Sequence, residues 1–581
     1  MKNRTSIKQL ISKLLPYIKP HKTVFFISIL FSMFAIVCNM LIPLFSGYAL
    51  DTMLEMNNVN FAELSKYLII IAILAVGSSF FDWFGSFYAN ILTFKTGQSL
   101  RDAIYNKLNN VPVKFIDNKP HGDLMNTMVA DVENLTDGLL NGFKSIVNGI
   151  FQILIVIVFM FLLNWILALI VIFVSPFSLI LAITITKRSK KLYKKRVELQ
   201  GDISGYTEEM IANMKVLKAY NSESKSNENF DILNKNLYKA SEKSVYYASL
   251  ANPTSRLVNG ILNGVVCVVG AIMAVNLLLS PGKILSFLNY SENYTKPFND
   301  LTSIFADLNI AVASSKRVFD LLDETNEISD LNSPPLKTCN GEVSLKEVSF
   351  SYDPSISLIE NFNLEVKKGQ RIAIVGPTGC GKSTLINLLM RFYDVDKGCI
   401  KLSGKDIRKV TRKSFREYYG MVLQESWLYN ATIRDNVAYG KPDATMDEVI
   451  EACRLANAHS FIERLPDGYN TIISERADNI SAGQKQLLCI ARVILKQPPL
   501  LILDEATSNV DTRTELKIQK AIDEVMKGKT CFIVAHRLST IVNADVILVM
   551  KDGKIIEQGK HEELLKKEGF YYEIFNSQFS T

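Results

Sequence analysis

The sequence predicts a chain built in two unlike parts, a bundle of membrane-spanning helices first and an α/β domain second. Three observations carry this. Apolar runs long enough to cross a bilayer, about 20 residues each, are confined to the first half, at 23–49, 64–92, 139–163, 166–186, 250–279 and 283–311. Beyond residue 342, short apolar strands alternate with helical segments, the pattern of a parallel sheet covered on both faces. At 376–384 a glycine-rich turn lies between one such strand and one such helix. Composition agrees: a mean hydropathy of +0.14 beside 21% charged residues points to a membrane part joined to a soluble part and not to one uniform globule. The same figures exclude a disordered chain, and 29 glycines with 8 cysteines in 581 residues exclude a collagen or a disulfide-rich secreted module. The formal charge of +7 is too thinly spread to suggest nucleic acid. It fits Lys and Arg flanking membrane spans on the cytoplasmic side.

Taken in order, the N-terminus is basic and amphipathic, and no small-residue cleavage site follows its first apolar run. That run is therefore expected to stay as a span. The third and fourth runs are separated only by Asn164-Trp165, which predicts a tight hairpin with the indole at the interface. The sixth run is the least apolar. Segments 93–138 and 187–249 are long and basic, with Lys187, Arg188, Lys190, Lys191, Lys194, Lys195 and Arg196 crowded at one end. Segment 50–63 holds Asp51, Glu55 and Glu63 and neither Lys nor Arg. By the positive-inside rule the long loops are cytoplasmic and the short ones external. Apolar spacing at Leu100, Ile104 and Leu108, and at Met210, Met214 and Leu217, makes the long loops helical continuations of the spans. Pro334-Pro335 and their turn-forming neighbours mark 323–341 as a linker between a transmembrane domain at 1–322 and a second domain at 342–581. There, strands are expected at 343–352, 362–369, 371–376, 498–504 and 529–536, and a helix at 381–392. The cysteines form no CxxC pair and no zinc spacing. Six of the eight follow residue 330, so free reduced thiols are expected.

Chemistry concentrates at Gly376-Pro377-Thr378-Gly379-Cys380-Gly381-Lys382-Ser383-Thr384, which fits G-x-x-x-x-G-K-[ST] in the strand–loop–helix setting that motif requires. Glycines let the backbone wrap phosphates, and the helix N-terminus supplies partial positive charge. Lys382 reaches the terminal phosphates, and Ser383 can ligate Mg²⁺. The second domain is thus expected to be an α/β P-loop nucleotide-binding domain. The buried strand 500–503 delivers Asp504 and Glu505 at its C-terminal end. Asp504 fits the Mg²⁺ side, and Glu505 fits a base that positions or deprotonates an attacking water. His536 ends another strand on the same side, which suits a γ-phosphate contact.

These residues, with Ile480-Ser481-Ala482-Gly483-Gln484 before a helix, resemble the nucleotide-binding domain of an ABC transporter. Gln424 resembles its Q-loop glutamine, here taken with Ser383 and Asp504 toward Mg²⁺. Ser508-Asn509-Val510-Asp511 resembles its D-loop, Tyr352 the aromatic that stacks on adenine, and Glu475 the acid of its cross-linking loop. The likeness extends into the membrane half. Leu100-Arg101, Pro112, Phe115, Asp117, Gly122 and Asp131 resemble the first cytoplasmic loop of exporters. Glu209 and Val216 to Asn221 resemble the second, where Asn213 replaces a usual Gly. Ala313 to Asp323, with Arg317, resembles the end of the sixth span.

Membrane part first and ATPase part second implies a half-transporter of the multidrug or lipid exporter class. It would work by alternating access in the cell membrane, with its ATPase domain in the cytoplasm. The resemblance implies that ATP is held between the P-loop of one subunit and Ser481, Gly483 and Gln484 of the other. It also implies that helices near 117–122 and 203–213 dock at a groove by Gln424 and Trp427. Ala482 stands where the signature usually has Gly, while Glu505 and His536 are intact. This favours a heterodimer over a homodimer. Asp82 and Glu292 lie inside apolar runs, where acids tend to face a cavity or a partner. They are expected to bear on small amphiphilic, cationic cargo, or else on structural pairing. A lipid flippase and an ATP-gated channel are the alternatives on the same scaffold. A soluble ATPase of the chromosome-maintenance or translation type is excluded by the spans.

Overall fold

The computed structural model describes residues 7–53, 59–276, 278–328, 330, 333–353, 358–423, 426–474, 479–504, 511–534 and 541–579. Within these helices, some side chains, among them those of 176–179 and 298–303, are not described. The chain divides into two compact units. One comprises Met1–Asn110 and Lys119–Glu324, the other Val111–Asn118 and Thr325–Thr581.

The first unit is helical throughout. α1 (Ile7–Ile18) precedes α2 (Lys22–Met53) and α3 (Phe61–Leu108), whose first turn is capped by the Asn60 side chain accepting from Glu63 N. After the short α4 (Val113–Asp117), α5 (His121–Asn126), α6 (Val132–Thr136) and α7 (Gly142–Leu163) follow one another through π-helical turns at Thr127–Asp131 and Asp137–Asn141. Asn164 then breaks the helix with φ −162° and ψ 120°. Its side chain accepts from the amides of Ile166 and Leu167, so the predicted hairpin is a cap as well as a turn. α8 (Trp165–Ala212), α9 (Met214–Ala219), α10 (Glu223–Ser249), α11 (Ala251–Val275) and α12 (Pro281–Leu322) complete the unit. α3 and α8 have 48 residues each. At 1.5 Å per residue each runs about 72 Å, more than twice the hydrocarbon thickness. The long basic loops are therefore helical extensions of the spans.

Among the described residues, Ser12–Met53, Phe61–Leu108, His121–Leu163 and Arg256–Val275 are long and apolar enough to cross a membrane, and Trp165–Ser175 is a shorter apolar stretch. The weakly apolar sixth run lies in α12, whose place comes from packing. Phe287, Tyr290 and Tyr294 are buried with Met40, Val156, Met160 and Leu167. A seam of polar contacts joins α2 to α12. The Tyr290 hydroxyl donates to Met40 O at 2.7 Å and Ser286 Oγ donates to Pro43 O at 2.7 Å. At the Asp51 end, the Asp51 carboxylate accepts from Gly282 N at 2.7 Å and Ser280 Oγ at 2.6 Å. Gly47 and Gly282 face each other so closely that a Cβ on either would overlap the other's carbonyl oxygen.

The second unit holds two sheets. β1 (Val343–Phe350), β2 (Ile359–Val366), β4 (Lys397–Leu402) and β5 (Lys405–Asp406) form an antiparallel sheet ordered β2-β1-β4-β5. β3 (Arg371–Val375), β6 (Tyr419–Val422), β7 (Leu500–Asp504), β8 (Thr530–Val534), β9 (Val546–Lys551) and β10 (Lys554–Gly559) form the other, ordered β10-β9-β3-β8-β7-β6. Strands β3, β6, β7, β8 and β9 are mutually parallel, and β10 adds an antiparallel edge. The central strands read as unbroken apolar runs because helices cover both faces. Part of the stretch 323–341, expected as a linker, packs within this unit through Glu327 and Asp330. The buried Arg412 guanidinium pairs with Asp330 at 2.7 Å and Glu327 at 3.0 Å.

Candidate nucleotide-binding site

Strands β3, β7 and β8 run parallel, so their C-terminal ends share one edge of the sheet. In open parallel sheets ligands bind outside that edge. β3 ends at Val375 and enters the glycine-rich loop, which opens α13 (Lys382–Leu389). Gly379 and Gly381 have φ of +85° and +101°, backbone states that side chains disfavour. A Cβ on Gly376 would run into Met550 O and Cys380 Sγ. The loop thus requires glycine at these positions, and its successive turns make the anion-binding concavity known as a nest. Gly381 precedes the helix without a side-chain cap, leaving the first amides of α13 free of one.

The Lys382 ammonium donates to Gly376 O at 2.8 Å and Pro377 O at 2.9 Å, so its side chain curls back over the loop. Pro377, Thr378 and Gly379 are exposed at the turn, as is Ser383, while Thr384 is buried in the helix face. Cys380 is buried beneath the loop, and burial pushes its thiol pKa up, against the pull of nearby Lys382. It is a packing residue there. Asp504 is half-buried at the end of β7, paired in register with Val534 of β8. A serine hydroxyl and a carboxylate are oxygen donors suited to a hard cation such as Mg²⁺, and the glycine cradle suits a polyphosphate. The residues present therefore fit Mg²⁺ and a nucleoside triphosphate.

Tyr352 is 38% exposed and held on three sides. Phe350 and Tyr393 meet its ring edge-on at centroid distances of 5.0 and 4.9 Å, and Asn387 Nδ2 donates to its hydroxyl at 3.1 Å. Tyr393 in turn donates to Asp117 Oδ2 of α4 at 2.6 Å. Burial, then the Asp117 carboxylate, raises the Tyr393 phenol pKa, so the hydroxyl stays a donor. The sequence reading named Tyr352 and Asp117 separately and missed Tyr393, which joins them. Its position eleven residues after Lys382 carries no spacing signal.

Ser481 caps the helix Ala482–Lys496 in a reciprocal box. Gln484 N donates to Ser481 Oγ at 3.3 Å, and Ser481 N donates to Gln484 Oε1 at 2.8 Å. Gly483 is buried in the first turn. Ala482 is the first helical residue, in a backbone state that carries a Cβ without strain. Asp511 caps Thr512–Met526, accepting from Thr514 N at 2.9 Å, and these hydrogen bonds lower its pKa. Trp427 is exposed. It stacks on Tyr429 and meets Tyr439 edge-on, with the Arg492 guanidinium over both Trp427 and Tyr439. It forms a surface ledge and not a core contact. Asp117, which begins the stretch 117–122 expected to dock, accepts the hydrogen bond from Tyr393 described above. Asp82 and Glu292 are exposed on α3 and α12, and neither has an ion pair among the described residues. Gln424, Glu475, Glu505, the loop 508–510 and His536 lie outside the described residues.

In the membrane unit the structure brings Asp131, at the end of the π-helical turn Thr127–Asp131, together with Ser314 and Arg317 of α12. Arg317 Nε donates to Asp131 Oδ2 at 2.7 Å, and Ser314 Oγ donates to Asp131 Oδ1 at 2.8 Å.

Residues 25–298 match the ABC transporter transmembrane region and residues 359–508 match the ABC transporter family. The chain is 37% identical over 570 residues to the ABC transporter ATP-binding protein YfiC of Bacillus subtilis, covering 97% of this chain and 93% of that one. It is 38% identical over 516 residues to the fatty acid ABC transporter ATP-binding/permease protein of Mycobacterium tuberculosis, covering 89% and 82%. A Staphylococcus aureus protein named for multidrug export is 34% identical over 580 residues, covering 98% and 100%. Among solved structures, a bacterial Atm1-family ABC exporter with ATP bound superposes with a TM-score of 0.75 at 27% identity, over 99% of both chains.

Proposed function

This chain belongs to the ABC transporters, as an ATP-hydrolysing exporter subunit of the cell membrane, and from that premise we propose that it moves small amphiphilic molecules outward by alternating access as one half of a dimer. The observation that carries the reading is one polypeptide that joins long apolar helices to a P-loop at the C-terminal edge of a parallel sheet. A relative named as a fatty acid transporter and one named for multidrug export both point to amphiphilic cargo.

In this reading Tyr352 stacks on adenine, and the amides of Gly379 to Ser383 with the Lys382 ammonium bind the phosphates. Ser383, Asp504 and Gln424 hold Mg²⁺, which when bound neutralises phosphate charge. Glu505 holds the attacking water and takes its proton, and His536 orients the γ-phosphate. Ser481, Gly483 and Gln484 face the nucleotide of the partner subunit, with Asp511 beside the junction. ATP stabilises the closed dimer because only there does it contact both halves.

The altered signature at Ala482 favours a heterodimer, in which the site closed by this chain's signature turns over slowly. One observation favours a homodimer instead: Ala482 begins a regular helix, so its methyl costs no backbone strain.

The test is ATP-dependent uptake into inside-out proteoliposomes with a panel of dyes, lipids and peptides, with the candidate second half supplied. Transport of at least one amphiphile is expected. Glu505→Gln should retain ATP binding while turnover falls by roughly 10²–10⁴. Ion currents without uptake would instead select the channel.

A further inference from the structure

A row of contacts zips the external halves of α2 and α12 together. Along α2, Met40, Pro43, Gly47 and Asp51 fall at i, i+3, i+7 and i+11. Along α12, Gly282, Ser286 and Tyr290 fall at i, i+4 and i+8, so each set lies on one face of its helix. They meet in antiparallel order. Tyr290 donates to Met40 O, Ser286 donates to Pro43 O, Gly282 lies against Gly47, and Asp51 accepts from Gly282 N and Ser280 Oγ. Asp51 belongs to the short acidic segment 50–63, which the positive-inside rule sets outside.

The Asp51 end is built on an amide that α12 cannot satisfy by itself. Pro281 and Gly282 are the first two residues of α12, and first-turn amides have no carbonyl four residues back within the helix. Ser280 Oγ caps Lys283 N at 3.3 Å, and Gly282 N is taken by a carboxylate on another span. A negative charge at that place also complements the dipole of α12.

Away from the zipper, the two helices are packed on different neighbours. Phe45 and Tyr48 of α2 meet Tyr67 of α3 at ring-centroid distances of 6.3 and 5.9 Å, and Phe31 meets Phe81, Phe84 and Tyr88. α12 buries Phe287 and Tyr290 with Met160 of α7, Leu167 of α8 and Leu262 of α11, in a cluster to which α2 adds Met40. Packed side chains hold helices together in a bilayer by dispersion and close fit. Hydrogen bonds at a water-facing end are instead exchanged for bonds to water at little net cost. At the external end of α2, the interface with α12 is therefore the easier one to undo.

We propose, on the alternating-access reading given above, that this zipper is a latch. When the path opens outward, α2 parts from α12 along it and travels with α3, and the Asp51 carboxylate closes it again by capping α12.

The experiment follows hydrogen exchange, by mass spectrometry, in the full-length protein in lipid nanodiscs with the second half supplied. The peptide spanning 278–286 contains the Gly282 amide. It should be protected without nucleotide and should exchange at least tenfold faster in ATP-loaded Glu505→Gln protein. A peptide spanning 64–72 of α3 should stay unchanged. G47A and Y290F leave Asp51, Ser280 and Gly282 as they are. The first wedges the zipper, because a Cβ on Gly47 overlaps Ser286 Oγ and Gly282 O, and the second removes the bond to Met40 O. Both should speed exchange at 278–286 before any nucleotide is added. Equal exchange with and without ATP in Glu505→Gln, with ATP binding verified, overturns the latch whatever the variants do. Equal loss of protection at 64–72 overturns it too, because α2 and α3 would then have come apart. If exchange behaves as expected and no amphiphile enters proteoliposomes, the export reading falls and the nucleotide-driven parting of α2 from α12 stands.

Discussion

Asp131 shows how one side chain commits the chain far from its own neighbourhood. Its carboxylate is 1% exposed, while Arg317, which pairs with it, is 54% exposed. The acid therefore depends on the guanidinium and on Ser314 for its solvation, and the guanidinium keeps its own contact with water. Truncating Arg317 leaves a buried charge with only the hydroxyls of Ser314 and Thr127 beside it. Breaking a fully buried pair costs about 3–5 kcal/mol, and exposure of the arginine reduces this, so Arg317→Ala should lose about 1–3 kcal/mol. Denaturation of the purified variant measures it. Adding Asp131→Asn should recover part of the loss, because a neutral amide tolerates burial better. If the double variant is no more stable than the single one, the charge is not what makes the arginine necessary.

Elements were legible where a period or a run defines them. The apolar runs fall on helices, and the strand at 371–375 and the helix opening at Lys382 stand within a residue of where they are expected to start. The P-loop was legible because glycine, lysine and serine at fixed spacing have few other uses. Contacts between distant residues were not. Nothing near Asp117 announces Tyr393, and nothing in 323–341 announces Arg412, because these pairs are set by tertiary folding and leave no local pattern. The weakly apolar α12 owes its position to Tyr290, Ser286 and the paired glycines. Hydropathy does not register any of these. The aromatic corner gives a prediction at this scale. Tyr393→Phe keeps the ring against Tyr352 and loses only the bond to Asp117, so the KM for ATP should stay within about twofold. Tyr393→Ala also removes an edge-on aromatic contact worth about 0.5–1.5 kcal/mol. Its KM should rise by roughly 2- to 12-fold, the same energy expressed as a ratio. Steady-state ATPase assays distinguish the two. Equal KM values for both variants would detach Tyr393 from the adenine contact proposed for Tyr352.

At the scale of the whole molecule, the question is which second half completes the nucleotide sites. Under the heterodimer reading, the chain expressed alone should hydrolyse ATP slowly and form no stable dimer on size-exclusion chromatography. Ala482→Gly should then speed the site that this chain's signature closes, once the partner is supplied. A stable homodimer with cargo-stimulated hydrolysis would select the other reading.

The eight residues Val111–Asn118 belong to the second unit although the chain on both sides of them belongs to the first. On the ribosome this segment emerges roughly 200 residues before the rest of its unit begins, which at 5–20 residues per second is a delay of roughly 10–40 s. Asp117 must wait longer still, since Tyr393 is made later than the unit's first residues. The second unit is therefore complete only when it has taken up this segment. That segment lies between membrane helices made earlier, so the unit's full set of contacts, Asp117 with Tyr393 among them, joins the latest-made part of the chain to one of its earlier ones.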